Sequence, residues 1–314
     1  MAAEQRTTAD PTEPGTDAAS EPDPGVDLEL GRRLAVASHR LVGWIFWDPG
    51  AIERYAALGV PDGLGYYIAS RAAPLADAGH QAVTAAFGSI HPDFVRFALA
   101  HCAAHTTFAD AAAARDRAVV DGLHAYAPSI VDGLGDFAEP LWSVADELPS
   151  AGRVLFAAHR EWPRPTEEPL LSAWLAVNCL REWRGDTHWA IQVADGISMT
   201  AAGLLDGAWR GYPDEWLPRS RGADDASVTA AWDELARRGF VTDGRVNAAG
   251  VAHRQAQEDL LDEHCLLPWR LLGVDRCRRF LELVEPVGPA LMARIDETAG
   301  PLWMPAGRDR RPPV

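Results

Sequence analysis

From about Leu28 to Val144, apolar residues recur at intervals of three and four, the spacing that lines one face of an α-helix, with short Gly and Pro breaks. The pattern predicts helices over Leu28–Phe46, Ile52–Leu58, Ala82–Phe87, Pro92–His105 and Asp110–Tyr126. In the fourth of these, Phe94, Phe97, Ala98 and Cys102 fall on one face. The run Glu161-Trp-Pro-Arg-Pro-Thr-Glu-Glu-Pro169 then reads as a rigid connector. Proline removes a helical hydrogen bond and pushes the preceding residue toward an extended backbone. After the connector, a long helix is predicted from Leu170 to Val193, ending before Asp195-Gly196.

The second half has a distinctive order of elements. A helix over Met199–Ala208 precedes a Pro/Gly loop, and a helix over Ala226–Arg238 stops at Gly239, a good C-cap. Phe240-Val241-Thr242 and Arg245-Val246-Asn247 flank Asp243-Gly244, a strong hairpin signal. A helix over Ala249–Leu267 closes the unit. Helices, then a hairpin, then a helix is the winged helix-turn-helix order. The expected fold is therefore mainly α, an N-terminal helical domain over 28–160 and a winged-helix domain with a small β-hairpin over 161–300. Residues 1–27, rich in Pro, Thr, Glu and Asp, bury too little apolar surface to offset ordering and are expected to form a disordered acidic tail; 301–314 form a C-terminal tail.

Composition narrows the chemistry. All 29 basic residues are arginine, which excludes a Schiff-base lysine, a pyridoxal phosphate anchor and a P-loop lysine. A GC-rich genome explains that bias and the Ala, Gly and Pro abundance. The net charge is −16, of which residues 1–30 supply −7 through eight acids and Arg6. An acidic body repels nucleic acid and anionic membranes unless a basic patch compensates. No apolar run approaches a membrane span and no secretory signal is read, so a cytoplasmic protein is expected. Cys102, Cys179, Cys265 and Cys277 show no CxxC spacing. His101 and His105 stand four apart, a spacing that can serve a metal, with Cys102, His91 and His124 nearby. No third ligand has a fixed spacing, so no metal is assigned, and the cofactor is left unknown. The chain lacks GxGxxG, GxSxG and P-loop motifs.

The densest chemistry lies in Leu180-Arg-Glu-Trp-Arg-Gly-Asp-Thr-His188, inside the long predicted helix. Helical phase puts Arg181, Arg184 and His188 on one face, Glu182 and Asp186 on an adjacent one, and Leu175, Cys179 and Trp183 on an apolar stripe. Arginine forks take carboxylates or phosphates at two points. His188 beside Asp186 or Glu182 offers a general acid or base. Gly185 costs about 1 kcal/mol relative to alanine inside a helix, which suggests a close approach by another element or a ligand. An equally good reading is a salt-bridge network pinning the two halves together, with His188 as a core histidine.

The wing segment Trp232-Asp-Glu-Leu-Ala-Arg-Arg-Gly-Phe-Val-Thr-Asp-Gly-Arg-Val-Asn-Ala-Ala-Gly250 resembles the recognition helix and wing of MarR-type regulators. More specifically, the chain resembles the actinobacterial SalK-like family of winged helix-turn-helix proteins. The likeness rests on Gly65-Tyr-Tyr-Ile-Ala-Ser-Arg-Ala-Ala-Pro-Leu75, Val83-Thr-Ala-Ala-Phe87, Leu155-Phe-Ala-Ala-His159, Pro169-Leu-Leu-Ser-Ala-Trp174 and the Arg-Glu-x-Arg-Gly-Asp-x-His run, and spans roughly Leu34 to Trp269. Gly88–His105, with its unusual histidines, departs from it. The family implies a fold better than an activity.

Three functional readings follow. The first is a regulator-derived protein holding a small anionic or aromatic ligand at the domain junction, with Arg181, Arg184, Arg71, Ser70, Tyr66 and Tyr67 as binding residues. The second is an enzyme of specialised metabolism that uses His188 with Asp186 or Glu182. The third is a DNA-binding regulator reading through Ser227, Thr229, Arg237, Arg238 and Arg245. Four acids, Asp224, Asp225, Asp233 and Glu234, disfavour the third, because they face phosphate unless they cap the helix and point away. A homodimer through terminal helices is compatible with all three.

Overall fold

The computed structural model describes residues 22–308. The N-terminal half contains α1 (Leu28–Gly43), α2 (Pro49–Ala56), α3 (Tyr66–Ala72), α4 (His80–Phe87), α5 (Pro92–Ala103), α6 (Phe108–Tyr126), α7 (Val131–Leu134), α8 (Ala138–Glu147) and α9 (Val154–Arg160). The long α10 (Pro169–Ala194) leads to α11 (Met199–Arg210), α12 (Trp216–Ser220), α13 (Asp225–Arg237), β1 (Val241–Thr242), β2 (Arg245–Val246) and α14 (Ala248–His264). The chain closes with α15 (Leu267–Leu272), α16 (Val274–Val284) and α17 (Gly288–Thr298). The fold is mainly α with one small hairpin. None of the described helices is long and apolar enough to cross a membrane.

Local chemistry sets the helix starts. Asp27, Thr107, Ser198, Asp224 and Asn247 each accept a hydrogen bond from a first-turn amide of the helix they precede. In the hairpin, Val241 pairs with Val246 and Thr242 with Arg245. Asp243 and Gly244 both take positive φ, 51° and 75°, as a two-residue turn of this hand requires.

Helix α10 is the axis of the molecule. It is buried over most of its circumference from Leu171 to Trp183, and Leu175, Cys179 and Trp183 join the main core as their spacing predicts. That core also takes in residues of α1, α6, α8, α16 and α17, so it does not divide at the Pro-rich connector. Trp174 Nε1 donates to the Leu41 carbonyl at 3.0 Å and ties α10 to α1. A second cluster lies under α3–α5, and a third, of Ile197, Leu205, Ala231 and Leu235 among others, holds the winged helix together.

Both ends of the described chain pack. Residues 22–27 belong to the predicted disordered tail, yet Val26 is fully buried and Asp23 accepts the Val274 amide at 2.9 Å. A single apolar residue with a waiting pocket and an acid with a helix N-terminus suffice to order them; the rest of the predicted tail lies outside the described residues. The helix predicted to run to Phe46 ends as α-helix at Gly43 and continues as a 3₁₀ turn over Trp44–Trp47. A Cβ on Gly43 would lie 1.9 Å from the Met304 methyl, so any larger residue there would make the Met304 side chain shift. That segment is held by Arg40 Nε on the Gly307 carbonyl and Arg210 Nη1 on the Pro305 carbonyl, both at 2.7 Å.

Candidate functional site

Where α1, α3, α10, α11, α14 and the C-terminal segment converge they leave a cavity of about 420 Å³. Helix α10 gives it Arg181, Glu182, Arg184, Gly185 and His188; α3 gives Tyr67 and Arg71; α1 gives Arg32 and His39. The winged helix contributes Asp206, Arg210, Arg221, Arg254 and Glu258, and Trp47, Trp189, Trp216 and Trp303 supply aromatic wall. Eight arginines thus face three carboxylates, in a chain whose net charge is −16.

Most of these cations are already engaged. Arg71 grips Glu182 with both fork nitrogens, at 2.7 and 2.5 Å, and donates to Tyr67 Oη at 2.6 Å. Arg181 donates to the same Glu182 at 2.7 Å, while its Nε is buried without a hydrogen-bond partner. Arg184 bridges Glu258 and Asp262, both at 2.9 Å. Arg254 joins Asp206 to Glu258 at 2.9 and 2.5 Å, and Arg210 adds to Asp206 at 3.0 Å. Arg221 differs: its guanidinium makes no ion pair among the described residues. It sits in the turn between α12 and α13, held there by the His91 amide donating to its carbonyl at 2.9 Å.

Burial and charge set the protonation states. Burial alone would raise the Glu182 carboxyl, but Arg71 and Arg181 overcome it and hold it at about 2, so Glu182 is a permanent anion. Burial, then Arg254, pushes His188 down to about 3; burial, then Arg181 and Arg184, does the same to His39. Both imidazoles are therefore neutral near pH 7. His39 Nδ1 lies 2.9 Å from the Ala35 carbonyl, which fixes the proton on Nδ1 and leaves Nε2 as an acceptor. The Gln192 amide nitrogen, 2.8 Å from His188 Nε2, donates to it and places that ring's proton on Nδ1. The cavity thus offers cations, neutral hydrogen-bonding rings and aromatic surface. It suits an anionic aromatic guest better than proton transfer, since a group at about 3 is far from the neutral range that acid–base catalysis favours.

Of the sequence-predicted residues, Arg71, Arg181, Glu182, Arg184, His188 and Tyr67 come together in this wall. Three do not. Ser70 is fully buried and its hydroxyl donates back to the Tyr66 carbonyl at 2.7 Å, because a serine four residues along a helix reaches its own backbone. Tyr66 lies in the main core against Tyr55, with ring centroids 5.6 Å apart. Asp186 accepts the Phe156 amide at 2.8 Å and so pins α9 to α10, on the side of α10 away from His188. Burial raises that carboxyl to about 7. Gly185 lines the cavity, and an added Cβ would meet only Glu182 Oε2 at 3.5 Å and Arg71 Nη2 at 3.8 Å; no element presses on it. His39, Arg221, Arg254 and Trp303 were not foreseen. Only Arg254 carried a local signal, its four-residue spacing to Glu258.

The DNA-reading candidates are dispersed. Asp224 caps α13 through the Ser227 amide at 2.7 Å, and Asp225 pairs with Arg219 at 2.6 Å. Ser227 is half-buried, while Thr229 and Arg237 are exposed. Arg238 is turned to the Asp195 and Gly196 carbonyls and to Glu234, and Arg245 lies 3.4 Å from Asp214. His101 and His105 make an edge contact at 5.2 Å, and among the described residues no three His, Cys, Asp or Glu side chains converge as metal ligands.

A model of a helix-turn-helix family matches residues 31–298. No curated protein and no solved structure gives a match.

Proposed function

The chain belongs to that helix-turn-helix family, and from this premise we propose a small-molecule-binding protein derived from a MarR-like, SalK-like regulator, with weak or lost DNA binding. The ligand is held between α10 and the winged helix and carries negative charge and aromatic surface. The observation that supports this most is Arg221, a half-buried cation lining the cavity that makes no direct ion pair among the described residues; the acid whose charge acts on it, Asp206, is already held by Arg210 and Arg254. A desolvated charge is stable only when compensated, so an anionic guest completes the site.

Native mass spectrometry of the purified protein tests the reading. A co-purified small molecule released on denaturation is expected, and the same spectrum gives the oligomeric state, for which a homodimer is proposed. An empty protein whose melting temperature no anionic aromatic compound raises sinks the proposal.

Family membership favours a second reading, a DNA-binding regulator. The acids of α13 and the internal ties of Arg238 weigh against it. A sequence-specific footprint on a palindromic duplex would restore it. An acid–base role for His188 with Asp186 has less support, since Asp186 faces α9.

A further inference from the structure

The arginines around the cavity do not balance their acids evenly, and the imbalance has an address. Arg32, Arg184, Arg210 and Arg254 form one connected network with four carboxylates: Asp206, Glu258, Asp259 and Asp262. Arg308 pairs with Asp296 at 2.7 Å. These groups cancel. Among the described residues, two positive charges are left over. One is Arg221 on the turn between α12 and α13. The other belongs to Arg71 and Arg181, which share the single carboxylate of Glu182.

The second excess is only partly neutralised from behind. Asp186 points to α9, and burial holds its carboxyl up to about 7, so it does not supply a full negative charge. Arg181 Nε is also a buried donor with nothing to donate to, a condition that costs stability unless a guest satisfies it. The cavity lining is also aromatic: Tyr67 lies by Arg71, and Trp303 contacts both Trp47 and Trp216, with ring centroids 5.8 and 5.3 Å apart.

We infer that the occupant of the cavity is an aromatic dianion, with one acidic group at Arg221 and the second at Arg71 and Arg181. This rests on the ligand-binding reading above and sharpens it: a monoanion would leave one desolvated cation uncompensated, and a neutral ring two. Dicarboxylates and phosphate monoesters share the required charge, but only the former put it at two separated points.

Isothermal titration of the purified full chain with four probes tests this: benzene-1,4-dicarboxylate, phenyl phosphate, benzoate and benzamide, with quenching of tryptophan fluorescence as a second readout. The dicarboxylate is expected to bind at least about tenfold more tightly than benzoate, and benzamide most weakly. Arg221→Ala should bring the dicarboxylate down to the level of benzoate, and Arg221→Lys should recover part of the loss, with circular dichroism confirming that both variants fold. Equal affinity for benzoate and the dicarboxylate overturns the dianion, as does an Arg221→Ala variant with unchanged preference. Preference for phenyl phosphate with no gain for the dicarboxylate overturns the two-seat arrangement. Tight binding of benzamide or benzoate refutes the dianion but leaves ligand binding standing. Binding of no probe, together with no co-purified molecule, removes both.

Discussion

The cavity wall and the outward face of α13 are both rich in charge, and they use it in opposite ways. In the cavity, arginines outnumber carboxylates and converge on a common space. On α13, acids lead: Asp224 caps the helix, Asp225 engages Arg219, Asp233 is exposed, and Glu234 accepts the Ser198 amide at 3.1 Å. Of the bases there, Arg238 is half-exposed and tied to the Asp195 and Gly196 carbonyls, while Arg237 is exposed. A winged helix that reads DNA needs its cations outside, where phosphates can be met and counterions released. Here the positive charge has been drawn inside. The fold that in a reader presents a helix to a groove here also closes one side of a pocket, with Arg221 supplied by the turn between the helices.

The contrast can be broken most forcefully at Glu182. Replacing it with alanine strands Arg71 and Arg181 in a desolvated wall, and should cost about 3–5 kcal/mol in urea unfolding. A loss below about 1 kcal/mol, the value of an exposed pair, would mean that the wall is wet and that its charges need no guest.

Protonation offers the next largest effect. His188 and His39 are both depressed to about 3 from an ordinary 6.5, by burial first and neighbouring arginines second. A base depressed in the folded state contributes stability above pH 6.5 that is lost as pH falls toward 3. Asp186 works the other way: raised by burial to about 7 from 3.8, it makes the protein lose stability as pH rises through that window. Between pH 6.5 and 4, His39→Gln and His188→Gln should therefore each flatten the acid-side loss by up to about 3 kcal/mol. Asp186→Asn should steepen it. Unchanged profiles in chemical denaturation would show that these side chains titrate freely in solvent.

Gly185→Ala sharpens the comparison at smaller scale. The added methyl has room, and helix propensity should stabilise the protein by up to about 1 kcal/mol, read as a higher melting temperature. It also intrudes on the cavity beside Glu182 and Arg71, so ligand affinity should fall while stability rises. A destabilised variant would point to a tighter wall around residue 185.

The smallest effect is expected on the outer face. Arg237→Ala and Arg245→Ala should each change stability by no more than about 0.5 kcal/mol and leave electrophoretic retention of duplex DNA at low salt as it was. A duplex retained by the unaltered protein and released by Arg237→Ala would return α13 to the role of a reader.

Much of the architecture was legible from spacing. The nine predicted helices, the Asp243-Gly244 turn and the α10 face of Arg181, Arg184 and His188 follow from local periodicity and turn chemistry, which need no knowledge of what lies across the core; α3, α7–α9, α12 and α15–α17 were not predicted. Local phase also named Asp186 as a site residue, and the domain-junction reading named Ser70; both were silent on which way these side chains turn. Asp186 was claimed by the Phe156 amide, and Ser70 by the Tyr66 carbonyl of its own helix.

What the sequence determined by itself was therefore most of the longer helices, their apolar faces, the absence of lysine chemistry and the acidic balance. What tertiary structure alone decided was which charges meet. Arg71 finds Glu182 across 111 positions, Arg32 finds Asp262 across 230, and Trp303 reaches Trp47 from the far end of the chain. The physical reason is that ion pairing and desolvation depend on distance in space. Periodicity fixes only the neighbours within a turn or two, and that Arg221 makes no ion pair among the described residues can be recognised only once all the others are in place.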